Sequence, residues 1–351
     1  MGVECSTLLD LPEERRLDYA VDCSSPESML SGLYKVTNHL FFRQRSTVSD
    51  FKHVQISGGI TNQLYKCSMG GRDVLVRIYG AKTEEVINRE MENKVMNILS
   101  QKGFGPRIYG RFRNGRLEQW LCGHALKPDQ MKLPELIPLL GSKTAEMHLV
   151  DVPFPKQSQL FVTIGDWLRK ARTVRFDDNA TKAALLAGVD LQKLALEIDE
   201  LKLVIEKVNS PVVFCHNDLL SGNIMYDKDT HALRFVDFEY GSYNNRAFDF
   251  ANHFCECCGF EVSVTKCHVF SKQPCRTSYC RAYLARFRGV SEKSVSESEV
   301  DSLYKEVGTC VTQPFILASH IFWGVWGIVQ ARYSVIDFDY LGYTKLRLAG
   351  Y

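Results

Sequence analysis

Hydrophobic and polar positions change rhythm along this chain, and the change predicts its architecture. From Val54 the residues alternate through Val54-Gln55-Ile56, break at Ser57-Gly58-Gly59-Ile60-Thr61-Asn62, and alternate again from Gln63 to Ser68. Gly70-Gly71 reads as a tight hairpin turn, and Arg72 to Tyr79 as a third strand with Val74, Val76 and Ile78 on one face. The segment from Thr83 to Gln101 then shifts to helical spacing, with Val86, Met91, Val95 and Leu99 on or near one face. Thr83 suits its cap, Glu84 and Glu85 its positive first turn, and Gly103 its end. Residues 105–110 and 115–121 read as two more strands around an Arg/Asn/Gly turn, followed by a linker over 122–132.

Beyond the linker the pattern is mainly helical. Helices are expected at 134–150, 166–174 and 190–208, the last repeating Leu194, Ile198, Leu201 and Ile205. Two short apolar runs, Val212 to Phe214 and Leu233 to Val236, read as strands. Helices are expected around 246–257, 279–288, 297–308 and 312–332. Residues 1–50 read as a polar leader with one or two helices, 51–125 as a small strand-rich lobe, and 126–351 as a larger helical lobe. The longest apolar stretch, Phe315 to Val329, contains His320 and is too short to span a bilayer, so a buried helix is expected and stable membrane insertion is not. Ser291 to Glu299 reads as a solvated loop or helix start.

Composition narrows the picture. A chain of 351 residues with 45% hydrophobic content fits one large or two ordinary globular domains. A formal charge of +2 without basic runs disfavours nucleic acid and anionic membrane as partners. Asp10, Glu13, Glu14 and Arg15 interrupt the Leu-rich start, so no secretory signal is expected and the chain reads as cytoplasmic. Its twelve cysteines are then reduced and mostly buried. The dense group Cys255, Cys257, Cys258, Cys267, Cys275 and Cys280 lacks the paired spacing of a zinc framework.

The chemistry concentrates between Cys215 and Glu256. The first short strand breaks at His216-Asn217-Asp218, Asn223 follows five residues after Asp218, and the second strand delivers Asp237-Phe238. Two carboxylates and an amide are thereby expected at the ends of two short strands joined by a hairpin-like connection. Phosphoryl transfer uses this spacing: one Asp takes the proton of the accepting hydroxyl, while the Asn and the second Asp hold Mg²⁺ on the nucleotide phosphates. Asp-x4-Asn alone is commonly a turn with a local cap. Its combination with the following strand and Asp-Phe favours the catalytic reading.

The residues around this set carry a longer likeness. His216-Asn-Asp-Leu-Leu-Ser-Gly-Asn, the run from Asp237-Phe-Glu-Tyr-Gly-Ser-Tyr to Phe254, Ala318-Ser-His-Ile-Phe-Trp-Gly-Val-Trp-Gly, and the terminal Phe338-Asp-Tyr-Leu-Gly-Tyr together resemble the choline/ethanolamine kinase family, in its order, over about residues 54–345. The resemblance implies an α+β, two-lobed protein-kinase-like fold: a small N-terminal lobe with an antiparallel sheet and one long helix, and a larger, mainly helical C-terminal lobe. It implies ATP and Mg²⁺ as cofactors and a small amino alcohol as substrate. Asp218, Asn223 and Asp237 become the catalytic set, with Asn223, Asp237 and, less directly, Glu239 as metal ligands. Asp249 is expected to brace the catalytic loop, and His216 to be structural. Ser57, Gly58, Gly59, Thr61 and Asn62 would approach the phosphates, although a plain hairpin explains that Gly-Gly turn equally well. Arg77 stands where a kinase has its Lys, with Glu92, or alternatively Glu90, as its partner. Gln119 and Leu121 lead into the hinge that holds adenine.

For the amine, Glu256 and an aromatic box of Tyr240, Trp323, Trp326 and Tyr343 are implied. Trp323 and Trp326 stand at i and i+3, a spacing that core packing explains too; an aromatic face over an amine contributes roughly 0.5–2 kcal/mol. Choline kinases tend to carry Gln two residues after the catalytic Asp and an aromatic after the Glu, where this chain has Leu220 and Cys257. The resemblance is therefore nearer ethanolamine kinases. It implies phosphorylation of ethanolamine as the first step of phosphatidylethanolamine synthesis through CDP-ethanolamine. The alternatives are a choline or dual-specificity kinase, an antibiotic-type phosphotransferase, and an inactive binding module. A homodimer stays open.

Overall fold

In a computed structural model, residues 15–43, 48–56, 62–80, 89–102, 104–257, 273–307, 314–334 and 336–351 are described. The phosphate loop expected at 57–61 and the helix start expected at Thr83 lie outside them. The chain divides into two units, Met1–Gly123 with Ser334–Phe338 and His124–Tyr333 with Asp339–Tyr351.

The first unit contains β1 (Arg16–Leu17), α1 (Pro26–Thr37), β2 (Lys52–Ile56), β3 (Asn62–Met69), β4 (Arg72–Tyr79), α2 (Arg89–Gln101), β5 (Ile108–Phe112) and β6 (Gly115–Gln119). Its six-stranded sheet runs β1-β5-β6-β4-β3-β2, antiparallel except for the β1–β5 pair. Gly70 and Gly71 join β3 to β4 with φ of 58° and 72°, the left-handed pair that a two-residue hairpin requires. Alternation then puts Tyr65, Cys67 and Met69 beside Val74, Val76 and Ile78 in the core.

The stretch expected as a separate leader contributes to this unit instead. Val21, Leu33, Val36, Leu40 and Phe42 belong to the same buried cluster as the β3 and β4 side chains. α1 starts where Ser25 Oγ accepts the Ser28 N–H at 3.1 Å, with Pro26 in its first turn. A Cβ on Gly32 would lie 2.9 Å from Val21 Cγ1, so the helix lies close against the segment that precedes it. The physical reason is burial: these apolar side chains cover a sheet whose core is otherwise open.

The second unit contains β7 (His124–Ala125), α3 (Ile137–His148), α4 (Leu160–Thr173), α5 (Ala180–Ala187), α6 (Leu191–Glu206), β8 (Val212–Cys215), β9 (Ile224–Asp227), β10 (Ala232–Phe235), β11 (Ser242–Asn245), α7 (Arg246–Glu256), α8 (Gln273–Arg288), α9 (Glu297–Val307), α10 (Pro314–Tyr333) and α11 (Tyr340–Ala349). α10 packs against α4, α7 and α11. The stretch expected to be too short for a bilayer lies in a helix that is long and apolar enough to cross one, because the helix extends beyond it at both ends; 89% of its most apolar window is buried inside the protein. An all-round apolar helix is what a central position demands. At Gly327 an added Cβ would fall 2.4 Å from Thr344 Oγ1, so the missing side chain lets α11 lie against α10.

Two helix starts and one additional helix are among the departures from expectation. α3 starts at Ile137 rather than Pro134, because residues 133–136 form a preceding turn in which Leu133 O accepts the N–H of Leu136 and of Ile137. α4 starts six residues before Asp166, since Leu160, Ile164, Trp167, Leu168 and Ala171 form one continuous buried stripe. α5 was not expected; Asn179 caps it by accepting the Lys182 N–H at 2.9 Å. Cys67, Cys215, Cys255, Cys257 and Cys280 are buried free thiols.

Candidate active site

Asp218 and Asp237 do not stand on the two strands of one hairpin, as the sequence pattern suggested. β8, which leads to Asp218, pairs antiparallel with β11. The hairpin is β9–β10, with Ile224 opposite Phe235, and it joins Asn223 to Asp237. Asn223 O accepts the Val236 N–H at 3.0 Å, which places Asn223 and Asp237 at the same end of that hairpin. Asn223 Nδ2 in turn donates to Asp218 O at 2.8 Å and Asp218 Oδ2 at 3.0 Å. The three side chains are thus brought together through Asn223.

The backbone leaves ordinary strand geometry at both acids' approaches. Asn217 has φ of 65° and Asp237 has φ of 64°, left-handed values that Asn and Asp tolerate better than other side chains do. Such backbone persists only where its surroundings hold it. Asp249 on α7 does this for the first loop: its Oδ2 accepts the His216 N–H at 2.9 Å and its Oδ1 the Asn217 N–H at 2.7 Å. His148 Nε2 donates to Asp249 Oδ2 at 3.1 Å, and His148 Nδ1 then accepts from the Tyr283 hydroxyl at 2.9 Å. Burial alone would raise the Asp249 carboxyl, but His148, His216 and the loop amide hold it below the usual carboxylate range. Burial lowers the His216 imidazole. Its Nε2–H donates to Val236 O at 2.9 Å, tying the loop of Asp218 to the residue before Asp237.

Asn217 anchors the same loop from its side chain. Nδ2 donates to Tyr240 O at 2.8 Å and Ser242 Oγ at 2.9 Å, while Oδ1 accepts from Asn244 Nδ2 at 3.0 Å. Asp218 is raised well above the usual carboxylate range, first by burial and then by the charges of Glu256, Glu239 and Asp237; the Asn223 amide opposes this. Acids brought this close to one another suit a site that takes a cation. Asn223 Oδ1 and the Asp237 and Glu239 carboxylates are oxygen donors of the kind Mg²⁺ selects. One carboxylate oxygen each from Asp237 and Glu239 lie within 4.8 Å of each other, so these residues fit that ion.

The four aromatic residues expected for the amine also converge. Trp326 Nε1 donates to the Tyr240 hydroxyl at 2.7 Å. Ring centroids are 5.3 Å apart for Tyr240–Trp323, 5.4 Å for Trp323–Trp326 and 6.1 Å for Trp326–Tyr343, all near perpendicular. Tyr340 joins them, 5.7 Å from Trp326. Asn252 links this group to the catalytic loop: Oδ1 accepts from Trp323 Nε1 at 2.7 Å and Ser319 Oγ at 2.8 Å, and Nδ2 donates to Asn217 O at 3.2 Å. Glu256, at the end of α7, accepts from Arg347 Nη1 at 2.9 Å.

Residues 54–351 match the choline/ethanolamine kinase family. The chain belongs to that family. A probable ethanolamine kinase of Arabidopsis thaliana is 36% identical over 95% of this chain and 88% of its own. Ethanolamine kinase 1 of Homo sapiens is 34% identical over 97% and 75%, and probable choline kinase 1 of Arabidopsis thaliana 33% over 94% and 94%. Among solved structures, an ethanolamine kinase of Plasmodium vivax superposes with a TM-score of 0.80 at 30% identity, over 93% of this chain and 88% of its own. The fold is accordingly the α+β, protein-kinase-like fold of choline/ethanolamine kinases.

In the first unit of this family member, Arg77 and Glu92 are drawn into a wider set of ion pairs. Arg77 Nε donates to Glu118 Oε1 at 2.7 Å, while Glu92 Oε1 accepts from Arg116 Nη1 at 2.7 Å. Arg116 Nε also reaches Glu118 Oε1 at 2.7 Å, so Arg77 and Glu92 belong to one buried four-residue network. Glu118 and Arg116 were missed because two charges on one strand ordinarily read as a solvated face. Gln119 directs its N–H to Arg107 O at 2.8 Å. Leu121 follows the end of β6 and is half-buried; Asn62 is buried and opens β3 opposite Tyr79. Ser57, Gly58, Gly59 and Thr61 lie outside the described residues. In the second unit the residues missed were Asn252, Ser319, Tyr340 and Arg347. Asn252, Ser319 and Tyr340 lie inside the runs that carry the family likeness, and Arg347 stands one turn after Tyr343 in the same helix.

Proposed function

We propose that this chain transfers the γ-phosphoryl group of ATP to the hydroxyl oxygen of ethanolamine, giving phosphoethanolamine and ADP, the first step of phosphatidylethanolamine synthesis through CDP-ethanolamine. One observation supports the reading: Asn252 donates to Asn217 O beside Asp218 and accepts from Trp323, so the residues suited to phosphate and the aromatic residues suited to an amine are linked through one side chain.

Asp218 takes the hydroxyl proton as the new O–P bond forms and the bond to the β-phosphate oxygen breaks. An Asp whose carboxyl is raised by burial is a better proton acceptor than an exposed one. Asn223 keeps that carboxylate aimed by donating to Oδ2. Asn223, Asp237 and Glu239 would hold Mg²⁺, which when bound neutralises the charge on the β- and γ-phosphates. Asn62 and Arg77 are assigned to the nucleotide. The aromatic faces and Glu256 receive the ammonium.

Ethanolamine is favoured over choline because Leu220 and Cys257 stand where choline kinases tend to have Gln and an aromatic. Cys257 is buried and brings no π-face to a quaternary ammonium. The similarity to a probable choline kinase keeps choline as the second reading. Steady-state kinetics with Mg²⁺-ATP and an amine panel tests both: kcat/KM should be higher for ethanolamine, and a higher value for choline refutes the preference.

A further inference from the structure

The geometry points to Arg347 as a positioning residue that makes the amine site selective for N–H-bearing ammonium groups by holding Glu256 in a neutral, oriented ion pair. The inference rests on the proposed function, in which Glu256 receives the amine.

Arg347 is fully buried near the end of α11. Nη1 donates to Glu256 Oε1 at 2.9 Å, and Nη2 to Ser319 O at 3.0 Å and Ser319 Oγ at 2.7 Å. Ser319 Oγ donates onward to Asn252 Oδ1, the oxygen that also holds Trp323. One guanidinium therefore fixes both the carboxylate and, through Ser319 and Asn252, a wall of the aromatic box. Stability does not require this arrangement. Replacing a buried ion pair by apolar side chains of similar volume is often neutral or stabilising, so a buried pair beside a binding site asks for another reason.

The reason lies in what the pair presents to a ligand. Glu256 feels Arg347 from α11, Asp218 from the catalytic loop and the Tyr343 phenol. Burial raises its carboxyl even with Arg347 opposing. Without the guanidinium that opposition is lost, and so is the donor that fixes the direction of the carboxylate. With it, the pair carries no net charge, so a cation gains little from the pair as a monopole. It gains from directional hydrogen bonds to carboxylate lone pairs, which a primary ammonium can donate and a quaternary one cannot. The aromatic faces bind either cation. Arg347 thus converts a charge-reading site into a hydrogen-bond-reading one.

The test is an amine series of ethanolamine, N-methylethanolamine, N,N-dimethylethanolamine and choline, with wild type, Arg347→Met and Arg347→Lys. In Arg347→Met, KM for ethanolamine should rise at least about tenfold, the scale of one charge-assisted hydrogen bond, while KM for choline moves less than about threefold. The loss should appear in KM rather than kcat, and Arg347→Lys should recover most of it. Equal changes in KM for all four amines would mean a structural role and overturn the inference. If Arg347→Met does not fold, Arg347→Met/Glu256→Gln leaves no buried charge unpaired. That double variant should lose the ethanolamine-over-choline discrimination; wild-type discrimination in it overturns the inference as well. Failure of the proposed function is distinguishable, because wild-type protein would then turn over none of the four amines.

Discussion

Asp249→Asn isolates the brace under the catalytic loop. Three donors converge on the two oxygens of Asp249: the N–H groups of His216 and Asn217, and His148 Nε2. An Asn has one acceptor oxygen and one NH₂ group. If its oxygen faces Asn217, the NH₂ meets the His216 N–H. His148 can adapt by moving its proton to Nδ1 and donating to Tyr283, but a backbone amide cannot. If the oxygen faces His216 instead, the Asn217 N–H is orphaned. Either way one buried N–H is left without an acceptor, a loss of about 1–3 kcal/mol, and the remaining bond is no longer charge-assisted, about 1 kcal/mol more. We expect a destabilisation of about 2–4 kcal/mol by urea unfolding. The left-handed Asn217 and the adjoining Asp218 then lose their support, so kcat should fall by more than about tenfold with KM for the amine changed less than about threefold. An Asp249→Asn protein that folds and keeps kcat within about threefold of wild type refutes the argument that Asp249 sets the loop.

Three further outcomes follow from individual contacts. Asp218→Ala should abolish amine-dependent ATP consumption while leaving nucleotide binding measurable by calorimetry, because it removes the proton acceptor and not the first unit's residues. Gly327→Ala should cost about 1–3 kcal/mol in unfolding experiments and raise KM for the amine, since its methyl group would meet Thr344 Oγ1 and Tyr340 O and push α11, with Tyr340 and Tyr343, away from Trp326. Glu118 gives a pH dependence: Arg77 and Arg116 overcome its burial and bring its carboxyl down to about 2 from an ordinary 4.5. A depressed acid stabilises the fold above its unfolded pKa and loses that contribution as pH falls, so unfolding free energy should decline between about pH 5 and pH 2 by roughly 3 kcal/mol. In Glu118→Gln this part of the decline should vanish; an unchanged slope would show that other carboxylates cause it.

Which parts of this protein can be read from its sequence depends on whether their cause is local. β3 and β4 are legible because alternation and the Gly70-Gly71 turn act within a few residues. α10 is legible because a helix apolar on every side has only one stable place in a folded protein. The start of α4 is not, because Asp166 imitates a helix cap and only the buried stripe from Leu160 reveals the earlier turn. The stretch from Arg16 to Phe42 is not, because its apolar residues acquire meaning only when the sheet they cover exists. The site divides in the same way. Asn223 follows Asp218 by five residues and a hairpin joins Asn223 to Asp237, so their spacing survives as a pattern. Asp249, Asn252 and Arg347 act across 33, 35 and 91 residues, on His216, Asn217 and Glu256 respectively. No periodicity encodes such distances; the brace from Asp249 was expected from the family likeness and not from spacing. Yet these are the contacts that hold Asn217 left-handed and oppose the rise that burial imposes on the Glu256 carboxyl. The groups that meet substrate are therefore written locally, while the groups that give them their charge and aim are supplied by the fold. Changes of amine preference within this fold should accordingly be sought first among residues such as Arg347, whose substitution alters what Glu256 presents without touching the motif.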